Sequence, residues 1–291
     1  RRPAKPFALM APPEVLARHA APTEAESARL TSSAAPVVLL RPAGLPLPEG
    51  IAPGQARHGW MLPYTPLHHL LCDAVARPLV MTSGNLSGEP QVIGNEEARQ
   101  KLAAFADGFL LHDREIARRL DDSVERVTPA GPMVLRRARG RVPGTIPLPP
   151  GLPDRQVLAC GGQMKAALCL VKNGQALLGH HLGELDEALT WEAYLQADRD
   201  YAALFDHRPE AVAVDLHPDF RATRHGRTRA EAEGLRLIEV QHHHAHMAAA
   251  LGEAGWQGDC AVGIILDGLG LGPDGTVWGG EILLGNYAGV S

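Results

Sequence analysis

A proline-rich segment places the strongest constraint on how this chain can fold. Five of the 15 residues in RVPGTIPLPPGLPDR, residues 141–155, are proline. Proline fixes φ and lacks a backbone donor, so this segment cannot continue a helix or a central strand. We therefore predict two α/β (α+β) domains over residues 1–145 and 156–291, joined by an extended linker over residues 146–155.

The composition is typical of a globular protein and argues against several classes. Hydrophobic residues make up 45% of the 291 residues, charged residues make up 21%, and the formal net charge is −5. These values fit a globular cytoplasmic protein and give little reason to expect a nucleic-acid partner. The four cysteines form no C-x-x-C pair, which argues against a disulfide scaffold and against a zinc finger in this sequence. No apolar run approaches the roughly 18 residues of a membrane span, so we expect no membrane partner.

Four histidines are concentrated in the stretch VQHHHAHMAAA, residues 240–250. The preceding LRLIEV has the pattern of a strand and the following HAHMAAALGEAG that of a helix, so the run lies at a strand-to-helix junction. On a helix, His242 and His246 share one face about 5–6 Å apart at Cβ, which lets two imidazoles reach one metal ion. The alternative interpretation is a solvated helix start that holds no metal.

A third metal ligand would come from a carboxylate elsewhere in the chain. Asp267 is the candidate, because it ends the apolar strand AVGIIL and opens the glycine-rich sequence DGLGLG. Gly268 and Gly270 would let a ligand approach the backbone closely and would offer N–H groups to a phosphate. The same pattern also fits a tight turn without a ligand.

The stretch QVLACGGQMKAALCLVKNGQALL predicts three strands joined by two turns. Asn173-Gly174 between apolar runs is a strong signal for a hairpin turn. Gly161 and Gly162 form the first turn, and Lys165 is expected on the strand that follows. A turn of this kind either holds a phosphate or serves only to reverse the chain.

Two stretches of the first half carry polar groups suited to phosphates. The sequence MTSGNLSGEP places Ser83 and Asn85 in a loop after an apolar run, where such residues bind phosphates or simply form turns. The sequence DDSVERV adds Ser123. The sequence VLRRARGRVPG adds a cluster of arginines, which pair well with phosphates or else form a solvated strand end. These arginines are Arg136, Arg137, Arg139 and Arg141.

Taken together, these stretches resemble the HypF family, the carbamoyltransferases of nickel–iron hydrogenase maturation. RRPAKPFALM, MLPYTPLHHLL, TSGNLSGEP, RRLDDSVERV and LRRARGRVP are similar to the family's YrdC-like domain. LACGGQMKAALCL, DLHPDF, VQHHHAHMAAAL and LDGLGLGPDGTVWGGE are similar to its TsaD-like domain, which has the actin/sugar-kinase/Hsp70 (ribonuclease-H-like) fold. The motifs follow the family's order over nearly the whole chain, which opens without methionine, and we expect a fragment with both domains truncated.

The resemblance implies roles for three groups of residues. The catalytic residues of adenylate formation would be Lys5, Ser83, Asn85 and Arg136. Further contacts to nucleotide and phosphate would come from Arg2, Ser123, Arg137, Gly161, Gly162, Lys165, Gly268 and Gly270. The ligands of a divalent metal (zinc, iron or magnesium) would be His242, His246 and Asp267.

The resemblance also implies a reaction. The first domain would use ATP and carbamoyl phosphate to make carbamoyl-adenylate. The second would transfer the carbamoyl group to the C-terminal cysteine of the partner protein HypE. Structural zinc is expected only in the family's N-terminal region, which this sequence does not contain.

Two other interpretations are compatible with the same motifs. One is an enzyme of tRNA threonylcarbamoyladenosine synthesis, which would use threonine and bicarbonate in place of carbamoyl phosphate. The other is a non-catalytic nucleotide-binding module, which would need the glycine loops but not the histidine pair.

Overall fold

The computed structural model describes residues 5–86 and 89–291 and divides the chain into two compact units between Arg141 and Val142. Among the described residues, no helix combines the length and the apolar character that crossing a membrane requires. Each unit is built on a six-stranded sheet, which agrees with the predicted α/β class.

The sheet of the first unit is mixed, in the strand order β4-β1-β3-β2-β5-β6. Its strands are β1 (Ala8–Met10), β2 (Val37–Leu40), β3 (His58–Met61), β4 (Leu79–Met81), β5 (Val124–Thr128) and β6 (Gly131–Arg136). Its helices are α1 (Pro13–Leu16), α2 (Glu24–Leu30), α3 (Pro66–Val75) and α4 (Asn95–Leu102). The core of this unit is centred on Trp60, which is fully buried among aliphatic side chains of β1 and β2.

Local sequence signals account for the ends of two of these helices. Thr23 caps α2 in a reciprocal capping box with Glu26, so that the orphan donors of the first turn are satisfied. Thr65 caps α3 by accepting the His68 N–H at 3.2 Å, and Pro66 begins the helix, where its missing donor costs nothing.

The sheet of the second unit has the order β12-β11-β8-β9-β10-β7, with β8, β9 and β10 antiparallel and β8, β11 and β12 parallel. Its strands are β7 (Ile146–Pro147), β8 (Val157–Ala159), β9 (Cys169–Lys172), β10 (Gln175–Leu178), β11 (Ala211–Asp215) and β12 (Arg236–Val240). Its helices are α5 (Ala188–Leu204), α6 (Arg221–Glu233) and α7 (His242–Glu253). Two short antiparallel ribbons follow, made of β13 (Ala261–Ile265) with β16 (Glu281–Gly285) and of β14 (Gly270–Leu271) with β15 (Val277–Trp278).

Without the edge strand β7, the sheet contains five strands, and read from β10 to β12 they lie in the order β10-β9-β8-β11-β12. Counted along the chain, this is the order 3-2-1-4-5, which is the order of the ribonuclease-H-like lobe expected from the resemblance. The predicted turn at Asn173-Gly174 joins β9 to β10 with φ of 51° and 67°, the left-handed values that a two-residue hairpin turn of this kind requires.

The proline-rich segment is more ordered at its start than an extended linker implies. Ile146 and Pro147 form β7, which pairs antiparallel with β10 at the edge of the second sheet. Proline is tolerated there because an edge strand leaves one side of its backbone without a partner. The Leu148 N–H continues the contact by donating to the Gly174 carbonyl at 2.9 Å.

Helix α6 lies unusually close to the second sheet because it lacks a side chain at Gly226. A Cβ at this position would lie 2.3 Å from Val214 Cγ1, 2.9 Å from Cys160 Sγ and 3.1 Å from Val212 Cγ1. These neighbours are themselves almost fully buried, so they have little room to move. The glycine is therefore a packing requirement of the helix–sheet interface.

We expect Gly226→Ala to lower the free energy of unfolding by about 1–2 kcal/mol, because overpacking outweighs the gain in helix propensity. Gly252→Ala in α7 is the matched control, since a Cβ there would meet nothing within 4 Å. It should raise the same quantity by roughly 0.5–1 kcal/mol. Urea denaturation of both variants would test the opposite signs, and a stabilised Gly226→Ala protein would contradict this account of the packing.

A buried carboxylate joins α5 to α6. The Asp198 carboxylate is 6% exposed and accepts from His225 Nε2 at 2.8 Å and from Arg229 at 2.6 Å. Burial alone would raise the pKa of Asp198, but the His225 hydrogen bond and the Arg229 charge outweigh burial, and the pKa is lowered. The ionised Asp198 carboxylate therefore stabilises the fold fully at pH values above about 3.9, which is the pKa of the group in the unfolded chain. This stabilisation is lost as the pH falls through the lower pKa that the group has in the folded protein.

We expect Asp198→Asn to lower the free energy of unfolding at neutral pH by about 3 kcal/mol, because it removes the buried counter-charge of Arg229 and leaves only the more exposed Glu233 beside it. The difference from the wild-type protein should shrink as the pH falls below about 4, where the wild-type carboxylate also becomes neutral. Denaturant unfolding of both proteins across this pH range is the measurement. A difference that stays constant with pH would show that the charge of Asp198 is not what stabilises the contact.

Candidate metal centre and phosphate-binding loops

The histidine run lies where the sequence predicts it, at the junction of β12 and α7. Strand β12 ends at Val240 and α7 begins at His242. Gln241 caps the helix, with its side-chain oxygen accepting the His244 N–H at 2.9 Å. The first turn of α7 therefore presents its imidazoles in fixed directions at the edge of the sheet.

Two of these imidazoles converge with one carboxylate. His242 Nε2 lies 2.8 Å and His246 Nε2 3.4 Å from Asp267 Oδ2, and the two Nε2 atoms are 3.2 Å apart. The three ligand atoms all lie within 4.8 Å of one another. Two imidazole nitrogens and one carboxylate oxygen are a donor set that suits a divalent transition metal. The geometry thus fits the predicted metal ligands, and each supplies one atom facing a common point.

Asp215 stands behind His242 and was not among the residues predicted from the sequence. It ends β11, and its Oδ2 accepts the His242 Nδ1–H at 2.6 Å. Its side chain is only 7% exposed. A signal existed in the sequence, because AVAVDL and LRLIEV are consecutive apolar strands, and parallel pairing brings the ends of both to one edge, although the second strand, β12, is largely exposed and not buried as its sequence suggests.

The remaining two histidines of the run face other parts of the fold. His243 is fully buried, and its Nε2–H donates to the Gly279 carbonyl at 2.7 Å. His244 Nε2 lies 2.9 Å from the carbonyl of Asn286. These contacts tie α7 to the segments around β15 and β16 and leave His242 and His246 as the pair that faces Asp267.

The surroundings of His242 and His246 shift the pKa values of their imidazoles in opposite directions. The hydrogen bond to Asp215 raises the pKa of His242 against the effect of burial. Burial and the neighbouring His242 lower the pKa of His246. Burial alone would raise the pKa of Asp267, but the Gly268 N–H, which donates at 2.8 Å, and the two imidazoles outweigh burial and lower the pKa.

The glycines predicted to bind phosphate lie around this cluster. Gly161 adopts φ of +72°, and a Cβ at Gly162 would lie 3.9 Å from His242 Cε1, so this turn runs beside the histidine. Gly268 follows Asp267 and has open space where a Cβ would be. A Cβ at Gly270 would lie 2.4 Å from His243 Cε1, so this glycine serves the packing of α7.

Lys165 differs from its predicted setting. The residue lies in the turn before the next strand, with φ of +49°, and its side chain is exposed. It follows the Gly161–Gly162 turn closely enough to remain a candidate phosphate contact of that loop.

The candidate residues of the first unit fall into two groups. Ala8 pairs with Met81 in the antiparallel β1–β4 ladder, so Lys5 before β1 and Ser83 after β4 lie at the same end of the sheet. Because β5 runs antiparallel to β1, Ser123 and Arg136 lie at the other end. Arg2 lies outside the described residues.

The loop that starts at Ser83 connects these two ends. The Ser83 hydroxyl donates to Asn85 Oδ1, and Asn85 Nδ2 donates to the carbonyls of Leu86 and Glu89. Further along, Gln91 Nε2 donates to Asp121 Oδ1 at 2.6 Å, two residues before Ser123. The described residues on both sides of positions 87–88 are therefore held by hydrogen bonds from the loop's own polar side chains.

Ser123 is fully buried. Its hydroxyl donates to the Arg139 carbonyl at 2.9 Å and accepts the Ala138 N–H at 2.9 Å. In this structure the hydroxyl therefore positions the strand end that carries the arginines, and it does not face an open surface.

Two of the four clustered arginines are committed to contacts within the unit. Arg139 Nε donates to Asp122 Oδ1 at 2.8 Å, and its guanidinium stacks 3.9 Å above the centre of the Tyr64 ring. Arg141 donates at 2.6 Å to Glu125, which is 1% exposed. Arg136, at the end of β6, and Arg137 are half-buried and remain the candidates for phosphate contact.

The fold and the cluster together define a class of protein. The chain joins a mixed α/β unit to a ribonuclease-H-like lobe that carries a His-His-Asp cluster at the carboxyl ends of its parallel strands. Comparisons with known proteins place this combination in one family.

The chain matches three family descriptions along its length. Residues 1–138 match the family described as Telomere recombination, residues 153–253 match the HypF Kae1-like domain, and residues 263–291 match the second subdomain of the carbamoyltransferase Kae1-like domain. Carbamoyltransferase HypF of Rhodobacter capsulatus is 72% identical over 293 residues, which cover 99% of this chain and 39% of that protein.

Solved structures agree with the sequence matches. The crystal structure of full-length HypF in the phosphate- and nucleotide-bound form is 40% identical, with a TM-score of 0.89 over 97% of this chain and 44% of that chain. The crystal structure of T. kodakarensis HypF is 37% identical, with a TM-score of 0.90 over 98% of this chain and 37% of that chain. The chain belongs to the HypF carbamoyltransferase family, and it spans 39% of the length of its Rhodobacter relative.

We expect Gly270→Ala to lower the free energy of unfolding by about 1–3 kcal/mol and to weaken Zn²⁺ binding. The added methyl would displace the buried His243 ring and, 3.0 Å away, the Cβ of His242. Gly268→Ala is the matched control, because it adds the same methyl two residues away in open space and should leave the unfolding free energy unchanged within about 0.5 kcal/mol. Equal effects of the two substitutions would contradict this prediction.

Proposed function

We propose that the protein takes part in a two-step carbamoyl transfer. In the first step, water cleaves carbamoyl phosphate to carbamate and inorganic phosphate, and a carbamate oxygen then attacks the α-phosphate of ATP, which forms carbamoyl-adenylate and releases pyrophosphate. In the second step, the C-terminal cysteine thiolate of HypE attacks the carbamoyl carbon. A carbon–sulfur bond forms, the bond to the adenylate oxygen breaks, and AMP leaves. Membership of the HypF family supports this proposal, as does the nucleotide- and phosphate-bound form of the solved relative.

The observation that carries the proposal is the convergence of His242, His246 and Asp267 on one point. Their donor set fits a divalent cation (zinc, iron or magnesium) bound by the two Nε2 atoms and one carboxylate oxygen. A cation held there would neutralise the phosphate of the adenylate and polarise its carbonyl as a Lewis acid. The cluster therefore supports our proposal that the second step takes place on the second unit.

The chain's own groups would perform the rest of the second step. The turn at Gly161 and Gly162 would let the adenylate phosphate approach the backbone beside His242, because Gly162 has no side chain between the backbone and the His242 ring, while the positive φ of Gly161 forms the turn. The open space at Gly268 extends the same surface. Lys165 would add a positive charge after the glycine turn.

The first step is assigned to the polar loops of the first unit. Ser83 and Asn85 would exchange the hydrogen bond between them for contacts to the ATP phosphates. Arg136 and Arg137 would neutralise phosphate charge, and Lys5 would do so from the other end of the sheet. Ser123 would contribute by holding the backbone at Ala138 and Arg139.

A comparison of substrates in the whole protein tests this function. Pyrophosphate and AMP formation from ATP would be followed with carbamoyl phosphate, and separately with threonine plus bicarbonate. We expect pyrophosphate release only with carbamoyl phosphate. Activity only with threonine would move the protein to tRNA modification, and no activity with either substrate would favour a non-catalytic nucleotide-binding module.

Two histidine variants separate the steps. His242→Ala should leave carbamoyl phosphate-dependent pyrophosphate release intact and reduce carbamoyl transfer to HypE by about 100-fold or more, because the cluster loses its best-held ligand. His244→Ala is the matched control from the same helix turn, and its transfer rate should remain near that of the wild-type protein. Equal transfer by His242→Ala and the wild-type protein would remove the cluster from the second step.

A further inference from the structure

Asp215 is a buried carboxylate whose two oxygens have different partners. Oδ1 accepts the backbone N–H of His217 at 2.8 Å, and Oδ2 accepts the Nδ1–H of His242 at 2.6 Å. The side chain is 7% exposed, and that of His242 is 20% exposed. A carboxylate so withdrawn from water needs both partners, and the pair is held in one orientation by the backbone of each strand end.

We propose that Asp215 is a positioning residue that fixes the tautomer and the ring orientation of His242. A neutral imidazole has one donor nitrogen and one acceptor nitrogen. Because Asp215 Oδ2 can only accept, the contact at 2.6 Å holds a proton on Nδ1. Nε2 is then the atom that faces His246 and Asp267, and its lone pair would be available to a cation bound between them. This inference rests on the proposed metal site, where a carboxylate behind a histidine commonly raises ligand strength.

The backbone contact explains why an amide could not replace the carboxylate. The His217 N–H requires an acceptor, so the single oxygen of an asparagine at position 215 would take the place of Oδ1. The amide nitrogen would then face His242 Nδ1 and donate to it. That contact favours the tautomer with the proton on Nε2, which has no lone pair left for a metal.

The lobe contains a second imidazole–carboxylate pair that serves only to connect helices. His225 Nε2 meets Asp198 Oδ2 at 2.8 Å, and Arg229 contacts the other oxygen of that carboxylate. Neither residue belongs to the His242, His246 and Asp267 cluster. Breaking the Asp198–His225 pair is therefore expected to lower stability alone, whereas breaking the Asp215–His242 pair is expected to change the orientation and the tautomer of His242.

Zn²⁺ affinity in the whole protein, measured by competition with a chromophoric chelator, tests the proposal. We expect Asp215→Asn to weaken Zn²⁺ binding by about 10–100-fold. Asp219→Asn is the matched control, because Asp219 lies four residues away, is 72% exposed and pairs only with exposed Arg224. It should bind Zn²⁺ like the wild-type protein. Thermal unfolding of each variant would establish that the affinity is compared between folded proteins.

The tautomer of His242 provides a readout that stability alone does not change. In metal-free protein labelled with ¹⁵N-histidine, at a pH above the raised pKa of His242 where the ring is neutral, the His242 signals, identified by their loss in His242→Ala, should report a proton on Nδ1. In Asp215→Asn they should report a proton on Nε2. Asp215→Ala gives a second variant, with no partner at Nδ1, and should also lose Zn²⁺ affinity.

The outcomes distinguish this inference from the proposed function. Wild-type affinity in Asp215→Asn, or an unchanged tautomer, would overturn the positioning role while leaving carbamoyl transfer untouched. Failure of the wild-type protein to bind Zn²⁺, iron or magnesium would contradict the proposed metal-dependent step. In that case the ¹⁵N signals of the metal-free proteins would still decide whether Asp215 sets the tautomer.

Discussion

The parallel pairing of β8, β11 and β12 is the constraint on which the candidate site of the second unit depends. Parallel strands bring their carboxyl ends to one edge of a sheet, and ligands of α/β proteins bind at that edge. Here the three strand ends are followed by the Gly161–Gly162 turn, by Asp215 and by His242. A glycine turn, a buried carboxylate and the His242 imidazole therefore meet without any one of them being close to another in sequence.

The packing beneath this edge keeps its geometry rigid. The Tyr194 hydroxyl on α5 donates to the Cys160 carbonyl at 2.8 Å, immediately before the glycine turn. Gly226 allows α6 to rest on the same strands. Burial raises the pKa of Cys160 to about 12, so this buried thiol stays protonated and serves the packing beneath the turn.

Buried charge decides how the arginines of the first unit are used. Glu125 is almost fully buried on β5 and contacts Arg29 at 2.7 Å and Arg141 at 2.6 Å. A carboxylate at this depth must be paired, so Arg141 is needed for the fold. Its neighbours Arg136 and Arg137 are half-buried and take no part in these two contacts of Glu125. Adjacent arginines in one basic sequence thus have different surroundings, and the difference depends on a glutamate from another strand.

Much of the architecture was readable from local signals. The alternation of apolar runs with Gly, Asn and Pro marked the hairpin at Asn173-Gly174, and the spacing of His242 and His246 predicted a pair on one helix face. Asp215 was missed, because its contact with His242 joins residues 27 apart and depends on which strands pair. Lys165 was predicted on a strand but lies in the turn before it, because its backbone adopts a left-handed conformation that the pattern of apolar residues does not predict.

The sequence by itself determined the α/β class, the order of the elements and the histidine pair, since these follow from periodicity and from residues within a few positions of one another. The tertiary structure brought Asp267, the candidate from the sequence, next to the pair, and it alone decided that Asp215 contacts His242 and that Ser123 and Arg141 are bound inside the fold. The physical reason is that each of these contacts joins segments far apart in the chain, and their partners are selected by strand pairing and by the need to satisfy buried polar groups.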